Sequence, residues 1–287
     1  MKRFIIISIL LIAMSGQYVW AQATHEFSAY GGFGLSTLSY QLSAGSRNGG
    51  VGGDFGAGYT YINGRERVTG TGNIIREDWG IYTGLGVGLY NAKAKISNVT
   101  TQTNGLTDDE NEQFDLYTRL SSYKENHSTL LLTIPLMGLF QYDRYYGMGG
   151  FKLGVPVMSN FKSKKATLVN EAYYEKYNNW CREEQFAGYG EFRGRDSNGK
   201  MKFGASMMLA LEAGAKWRIR RNIYLYSGLY FDYGLNNFAK KNQKDFVNPF
   251  NYQGGETTFT TNSVLSVYTE KIRVMAVGVK VRVAMTK

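Results

Sequence analysis

Apolar residues alternate with small or polar ones in eight stretches of this chain, the last running from Lys271 almost to Lys287. A period of two puts alternate side chains on opposite faces, so each stretch predicts a β-strand with one apolar face. The first sets Phe27, Ala29, Gly31, Phe33 and Leu35 against Ser28, Tyr30, Gly32, Gly34 and Ser36. The second, about Val51 to Ile62, sets Phe55, Ala57, Tyr59 and Tyr61 against Asp54, Gly56, Gly58 and Thr60. The third carries Trp79, Ile81, Leu85, Val87 and Leu89 opposite Gly80, Tyr82, Gly84, Gly86, Gly88 and Tyr90.

The fourth, about Ser128 to Phe140, holds the run Leu130 to Leu136, and the fifth, about Gly147 to Met158, opposes Phe151, Leu153, Val155 and Val157 to Lys152, Gly154 and Pro156. Pro135 and Pro156 each delete a ladder donor, which predicts a bulge or a donor aimed at a strand end. The sixth, about Lys202 to Ile219, places Phe203, Ala205, Met207, Leu209, Leu211 and Trp217 opposite Ser206, Glu212, Lys216 and Arg218. The seventh, about Asn222 to Leu235, places Leu225, Leu229 and Phe231 opposite Tyr226, Tyr230 and Asp232. The eighth places Val277, Val279, Val281 and Val283 opposite Gly278, Lys280 and Arg282.

The connections run Gln41 to Gly50, Asn63 to Asp78, Ser97 to His127, Gln141 to Tyr146, Ser159 to Met201, Arg220-Arg221 and Asn236 to Glu270. From the third strand onward they alternate long and short. An even set of strands, each long enough for the roughly 9 to 11 tilted residues that hydrocarbon requires, predicts one architecture. It is an all-β, eight-stranded antiparallel up-and-down transmembrane β-barrel with long extracellular loops and both chain ends on the periplasmic side. The Asn63 to Asp78 connection is longer than that topology expects.

The N-terminus adds an address. Lys2 and Arg3 precede an apolar run, Phe4 to Met14, and Ala21-Gln22-Ala23 offers a small-x-small cleavage site. Residues 1–23 are therefore expected to be a signal peptide, cleaved after Ala21 or Ala23, and 24–287 the barrel domain. Export and the barrel together predict the outer membrane of a Gram-negative bacterium.

Composition agrees: Gly 35, Tyr 22 and Phe 16 against Pro 3 is a strand-and-turn vocabulary. A mean hydropathy of -0.31 is what a sheet with its apolar side turned outward averages to. Cys181 is the sole cysteine, which excludes a disulfide framework and a multi-cysteine zinc site. With His25 and His127 the only histidines, no metal site and no cofactor is expected. An unpaired loop cysteine is read as incidental.

The formal net charge is +10, two of it from Lys2 and Arg3. The basic residues gather in connections, at Lys162, Lys164 and Lys165 and again at Lys240, Lys241 and Lys244, without an aromatic-interleaved patch, so no nucleic-acid partner is expected. On extracellular loops they would face the sugars and phosphates of lipopolysaccharide, although solvated loop charge is the plainer reading.

The lumen is expected to hold Asp54, Glu212 and Asp232 with Lys152, Lys216, Lys280 and Arg282. Opposite charges filling a narrow interior is the preferred reading, with an ion path as the alternative. The inward glycines lack phosphate-loop spacing and make room for Tyr82, Tyr90, Tyr224, Tyr226 and Tyr230. His127, beside Glu125 and Ser128, is read as a rim histidine without a catalytic role. Between Asn170 and Phe192, Tyr173, Tyr174, Tyr177, Trp180, Phe186 and Tyr189 form either a surface for glycan or protein ligands or a small core capping the mouth. Asp196-Ser197-Asn198-Gly199 reads as a hairpin tip.

Several of these elements resemble a known family. The glycine-rich first strand, Trp79-Gly80-Ile81-Tyr82-Thr83-Gly84-Leu85 leading to Leu89-Tyr90-Asn91-Ala92-Lys93, Thr133-Ile134-Pro135-Leu136, and the Val277-Gly278-Val279-Lys280-Val281 ending are similar to small outer-membrane β-barrels, OmpA-like or PorT-like in architecture. The resemblance implies location and fold, assembly by periplasmic chaperones and the barrel assembly machinery, and no shared activity. Against the larger OmpA-like proteins, no peptidoglycan-binding domain is expected after the last strand, and Met285-Thr286-Lys287 stands where a terminal Phe is expected. The expectation is a non-enzymatic monomer with a structural or surface-interaction role, the alternatives being a narrow porin-like channel or a lipid A-modifying enzyme.

Overall fold

The computed structural model describes residues 23–40, 46–68, 74–240, 246, 251–253, 256–258, 261–269 and 271–287. Apart from Ala23, the expected signal and its cleavage site lie outside these residues, as do Lys241 and Lys244. In chain order the strands are β1 (Thr24–Tyr40), β2 (Ser46–Val68), β3 (Ile74–Ile96), β4 (Val99–Thr107), β5 (Gln113–Tyr142), β6 (Tyr145–Tyr174), β7 (Asn179–Cys181), β8 (Gly190–Lys200), β9 (Ser206–Arg220), β10 (Ile223–Gly234), β11 (Asn251–Gln253), β12 (Glu256–Thr258) and β13 (Ile272–Thr286). A short helix spans Val264–Tyr268. No helix among the described residues is long and apolar enough to cross a membrane.

Eight strands form a closed antiparallel ring in the order β1-β2-β3-β5-β6-β9-β10-β13, sealed where β1 pairs with β13 from Glu26 opposite Thr286 to Tyr40 opposite Ile272. The fold is therefore the expected eight-stranded up-and-down barrel. Closure leaves these strands without a free edge through the ring, which satisfies their backbone donors and acceptors. Inward and outward residues fall as the period of two predicts: Ser28, Tyr30, Asp54, Tyr82, Lys152, Glu212, Tyr226 and Arg282 are buried, while Phe33, Phe55, Trp79, Leu136, Leu229 and Val279 stand exposed on the outer wall.

The seal needs glycine. At Gly34, a Cβ would run into the carbonyl oxygen of Val277 and the Cα of Gly278, so only a bare backbone lets β1 and β13 approach this closely. Inside, a Cβ at Gly86 would occupy the place of the Tyr30 hydroxyl and one at Gly58 the place of the Tyr82 ring.

Both prolines sit where the ladder gives way. Register between β3 and β5 skips from Thr83–Leu136 to Gly86–Thr133, leaving Pro135 with no partner on that side. The β5–β6 register shifts between Leu130–Met158 and Leu131–Pro156, so Val157 and Met158 both face outward in a bulge.

Several expected connections are strand instead. Ser97 to His127 is no loop: β4 continues β3 along the same edge of β5 after a break at Asn98, where φ is 56°. The hairpin tip is Asp108–Glu112, with the Asp108 carboxylate accepting from the amides of Glu110 and Glu112. Ser159 to Met201 likewise holds the upper half of β6 and its partner β8, so Lys162 and Lys164 are strand rather than loop residues. Asp196 to Gly199 is not a hairpin tip but part of β8, with Ser197 opposite Ser163 and Asn198 opposite Lys162; the cross-strand ladder outweighs local turn chemistry. The Asn63 to Asp78 connection narrows because β2 and β3 stay paired to Val68 and Ile74. The sixth strand begins at Ser206, and Phe203 turns inward to stack on Phe238, 4.4 Å between centroids, instead of joining the outer face.

The walls at the long-loop end thus rise well beyond the ring, and their polarity inverts. On β3 the outward residues from Trp79 to Leu89 are apolar except Thr83, and then come Asn91, Lys93 and Lys95. The inward residues there become Ala92, Ala94 and Ile96, all buried. The same crossover places Phe114, Leu116, Leu120, Phe161, Leu168, Phe192, Phe238 and Ile272 in one apolar core over the mouth.

Gly34→Val is expected to cost about 1–3 kcal/mol of barrel stability by forcing the seam apart. Gly31→Ala should be neutral, since nothing lies within 4 Å of the added methyl. Urea midpoints of the folded protein check both.

Candidate functional site

Six of the seven expected lumen charges make one chain of alternating sign. Lys152 Nζ lies 2.6 Å from Asp232 and 3.6 Å from Asp54; Lys280 Nζ lies 3.0 Å from Asp54 and 3.6 Å from Glu212; Arg282 Nη2 donates to both oxygens of Glu212 at 2.8 and 2.9 Å. All six are buried. Three cations and three carboxylates leave no formal surplus, which is the condition for keeping charge out of water. Because β2, β6, β9, β10 and β13 contribute, the chain crosses the lumen and does not run along one wall. Tyrosine faces complete the lining: Lys280 lies 4.9 Å from the Tyr30 centroid and 4.7 Å from Tyr230, and Arg282 lies 4.3 Å from Tyr82.

Asp54 is the weak link. It bridges two lysines, yet neither of its oxygens accepts an aligned hydrogen bond, so it is held by charge alone.

The seventh residue, Lys216, stands apart. Nearer the short-turn end it pairs with Glu26 at 2.8 Å, and the Tyr226 hydroxyl donates to the same carboxylate at 2.6 Å. Sequence reasoning missed Glu26 because it opened the first strand at Phe27; two residues before Ser28, Glu26 shares the inward face. This end opens in a polar pocket of about 450 Å3 lined by Glu26, Asp78, Gln141 and Lys216 among others.

At the long-loop end His127 is not a rim residue. Glu125 and His127 are two apart on β5, so both point inward, both are fully buried, and His127 Nε2 lies 2.6 Å from Glu125 Oε1. Glu125 also accepts from the Tyr123 hydroxyl at 2.9 Å, the Val264 amide at 3.1 Å and the Ser263 hydroxyl. Ser263 in turn caps the short helix by accepting from the Leu265 amide. The order is Ser263, Glu125, His127, with the carboxylate in the middle. A nucleophilic triad requires the histidine between the other two, so the serine proton here has no imidazole to go to. What the cluster does is tie residues 261–268 into the mouth.

The loop aromatics divide. Tyr174 and Tyr189 pack on Phe114 and share a 3.1 Å hydroxyl contact. Burial pushes both phenols up from their ordinary value. Tyr173 and Trp180 instead form an outward cluster with Tyr117, centroids 4.9 and 5.1 Å from the indole, under Arg182 at 5.0 Å. Tyr177 and Phe186 are exposed. Part of this segment is thus packed over the mouth, and part of it stands exposed. Burial, and then Glu184, raise the Cys181 thiol, which lowers its thiolate fraction at neutral pH.

The chain matches no family model and no curated protein. Among solved structures it is similar to Ail, the attachment invasion locus protein of Yersinia pestis, in complex with the heparin analogue sucrose octasulfate. The identity is 11%, with 91% of this chain and 99% of that chain covered, at a TM-score of 0.28. It is also similar to the outer membrane protease OmpT from Escherichia coli, at 8% identity, 96% and 99% coverage and a TM-score of 0.27. The fold is established by the register of this chain's own strands.

Asp54→Asn leaves two buried lysines sharing too little negative charge. It is expected to cost about 3–5 kcal/mol, read from the urea midpoint. Lys93→Gln on the exposed wall should stay within about 0.5 kcal/mol of the parent.

Proposed function

We propose that this chain is a non-enzymatic outer-membrane β-barrel whose lumen is plugged and whose long-loop end is an interaction surface. The membrane placement rests on the outer wall. On β3 the exposed apolar run from Trp79 to Leu89 spans about 10 tilted residues, matching the roughly 25 Å apolar band of such barrels. An aromatic girdle marks its short-turn margin, with the Trp79 ring tilted against Phe140 at 4.5 Å between centroids and Tyr142, Tyr145 and Trp217 exposed nearby.

The observation that carries the plugged reading is the six-charge chain across the lumen, backed by the apolar core over the mouth. Each side chain in that chain is already neutralised by a neighbour, so a passing ion would have to break pairs to find a site. The carboxylate-centred order of Ser263, Glu125 and His127 supports a structural role over catalysis. The outward cluster of Tyr117, Tyr173 and Trp180 with Arg182 is the part suited to a glycan or protein ligand, since rigid amphipathic rings offer contact area at small entropic cost.

In planar bilayers the purified protein is expected to give no stepwise conductance; steady single-channel steps would contradict the plug. On an array of immobilised glycans and surface proteins, binding is expected that Trp180→Ala weakens roughly thirtyfold, the loss typical of one aromatic anchor. An array without any bound feature would contradict the surface role.

A further inference from the structure

Just beyond the apolar belt, the outward side chains of β2, β3, β5, β6 and β8 fall in two cross-strand rows. In one, Asn48 is opposite Lys93, Lys93 opposite Asn126, Asn126 opposite Lys162 and Lys162 opposite Asn198. In the row one step nearer the belt, Asn91 is opposite Ser128, Ser128 opposite Asn160 and Asn160 opposite Lys200. In the first row ammonium and amide groups alternate, and in the second Lys200 follows two amides and a hydroxyl, so cations are spaced by neutral groups that both donate and accept. The wall is concave here, enclosing about 1010 Å3 against these rows.

Two features define what fits. The margin toward the belt is apolar: Leu35 and Val51 line the concavity, and Leu89 is opposite Leu130, itself opposite Met158. The cations are unspent: Lys93, Lys162 and Lys200 are exposed and, among the described residues, form no ion pair. On the far wall, by contrast, Arg273 is engaged by the Tyr233 hydroxyl at 2.9 Å. A free anion would use the lysines and ignore the apolar margin. A molecule with a phosphorylated sugar head and acyl chains uses both, with its phosphates at the level where this wall changes from greasy to basic.

We propose that this groove holds the phosphorylated headgroup of a membrane glycolipid, its acyl chains lying against the apolar wall below. The proposal rests on the membrane placement given above. Lys93, Lys162 and Lys200 supply the charge, and Asn126 and Asn160 the donors that orient the phosphate and sugar oxygens.

The test uses the full chain folded in detergent, titrated with diphosphorylated lipid A and followed by native mass spectrometry. Lys93→Ala/Lys162→Ala/Lys200→Ala is expected to weaken binding about a hundredfold, roughly fivefold for each ammonium at an anionic lipid surface. Arg144→Ala/Arg220→Ala/Arg221→Ala, which removes as much charge at the short-turn end, should bind as the parent does. The dephosphorylated lipid should bind weakly, and inorganic phosphate should not compete. Parent-like binding by the lysine variant, equal loss in the arginine variant, equal binding of the dephosphorylated lipid, or competition by phosphate would each overturn the assignment. Flotation with zwitterionic phosphatidylcholine vesicles separates the two readings: a parent protein that does not float defeats the membrane placement itself.

Discussion

Pairing of β1 with β13 makes the rest of this molecule possible. The two strands are far apart in sequence yet pair in one register from Glu26–Thr286 to Tyr40–Ile272, and at Gly34 and Gly278 the backbones leave no room for a Cβ. Without that seam the sheet would carry two open edges, and its exposed apolar wall would have no solvent able to tolerate unpaired backbone beside it. With it, the wall is a cylinder whose exterior can be as greasy as Phe33, Leu35, Phe55 and Leu229 make it.

Closure then dictates the interior. Eight strands leave a bore that side chains just fill, and whatever is polar inside must be neutralised inside. The chain solves this with ions of alternating sign threaded between tyrosine faces, a construction that couples β2, β6, β9, β10 and β13 across the bore. Removing one charge is costly because its neighbours are left uncompensated. The same arrangement ties opposite walls of the ring together across the bore, so the strands that close the cylinder are also coupled through its interior.

Much of this was legible in the sequence, for a specific reason. Where the outside is apolar and the inside mixed, a period of two separates the faces, and it assigns Asp54, Lys152, Glu212, Asp232, Lys280 and Arg282 to the inward face, where they are buried. Beyond the belt the contrast reverses: Ile96, Leu116 and Leu168 face in, while Lys93, Lys124 and Lys162 face out. Such stretches are as regular as the others, but with polar residues outside they read as loop, and β4, β8 and the upper halves of β5 and β6 are all of this kind. Glu125 and His127 illustrate the point: their two-residue spacing puts the acid and the imidazole side by side on the inward face of a stretch whose polarity is reversed. The partner of Glu125, Ser263, lies in a segment without a period, and only the folded chain brings it there.

Hydrogen–deuterium exchange of the protein in lipid vesicles addresses closure most directly. If β1 and β13 seal the ring, amides across 27–35 and 277–285 will be protected to the same degree as those of β3 and β5 in the belt. Exchange there at the rate of an open sheet edge, with the central strands still protected, would contradict the account.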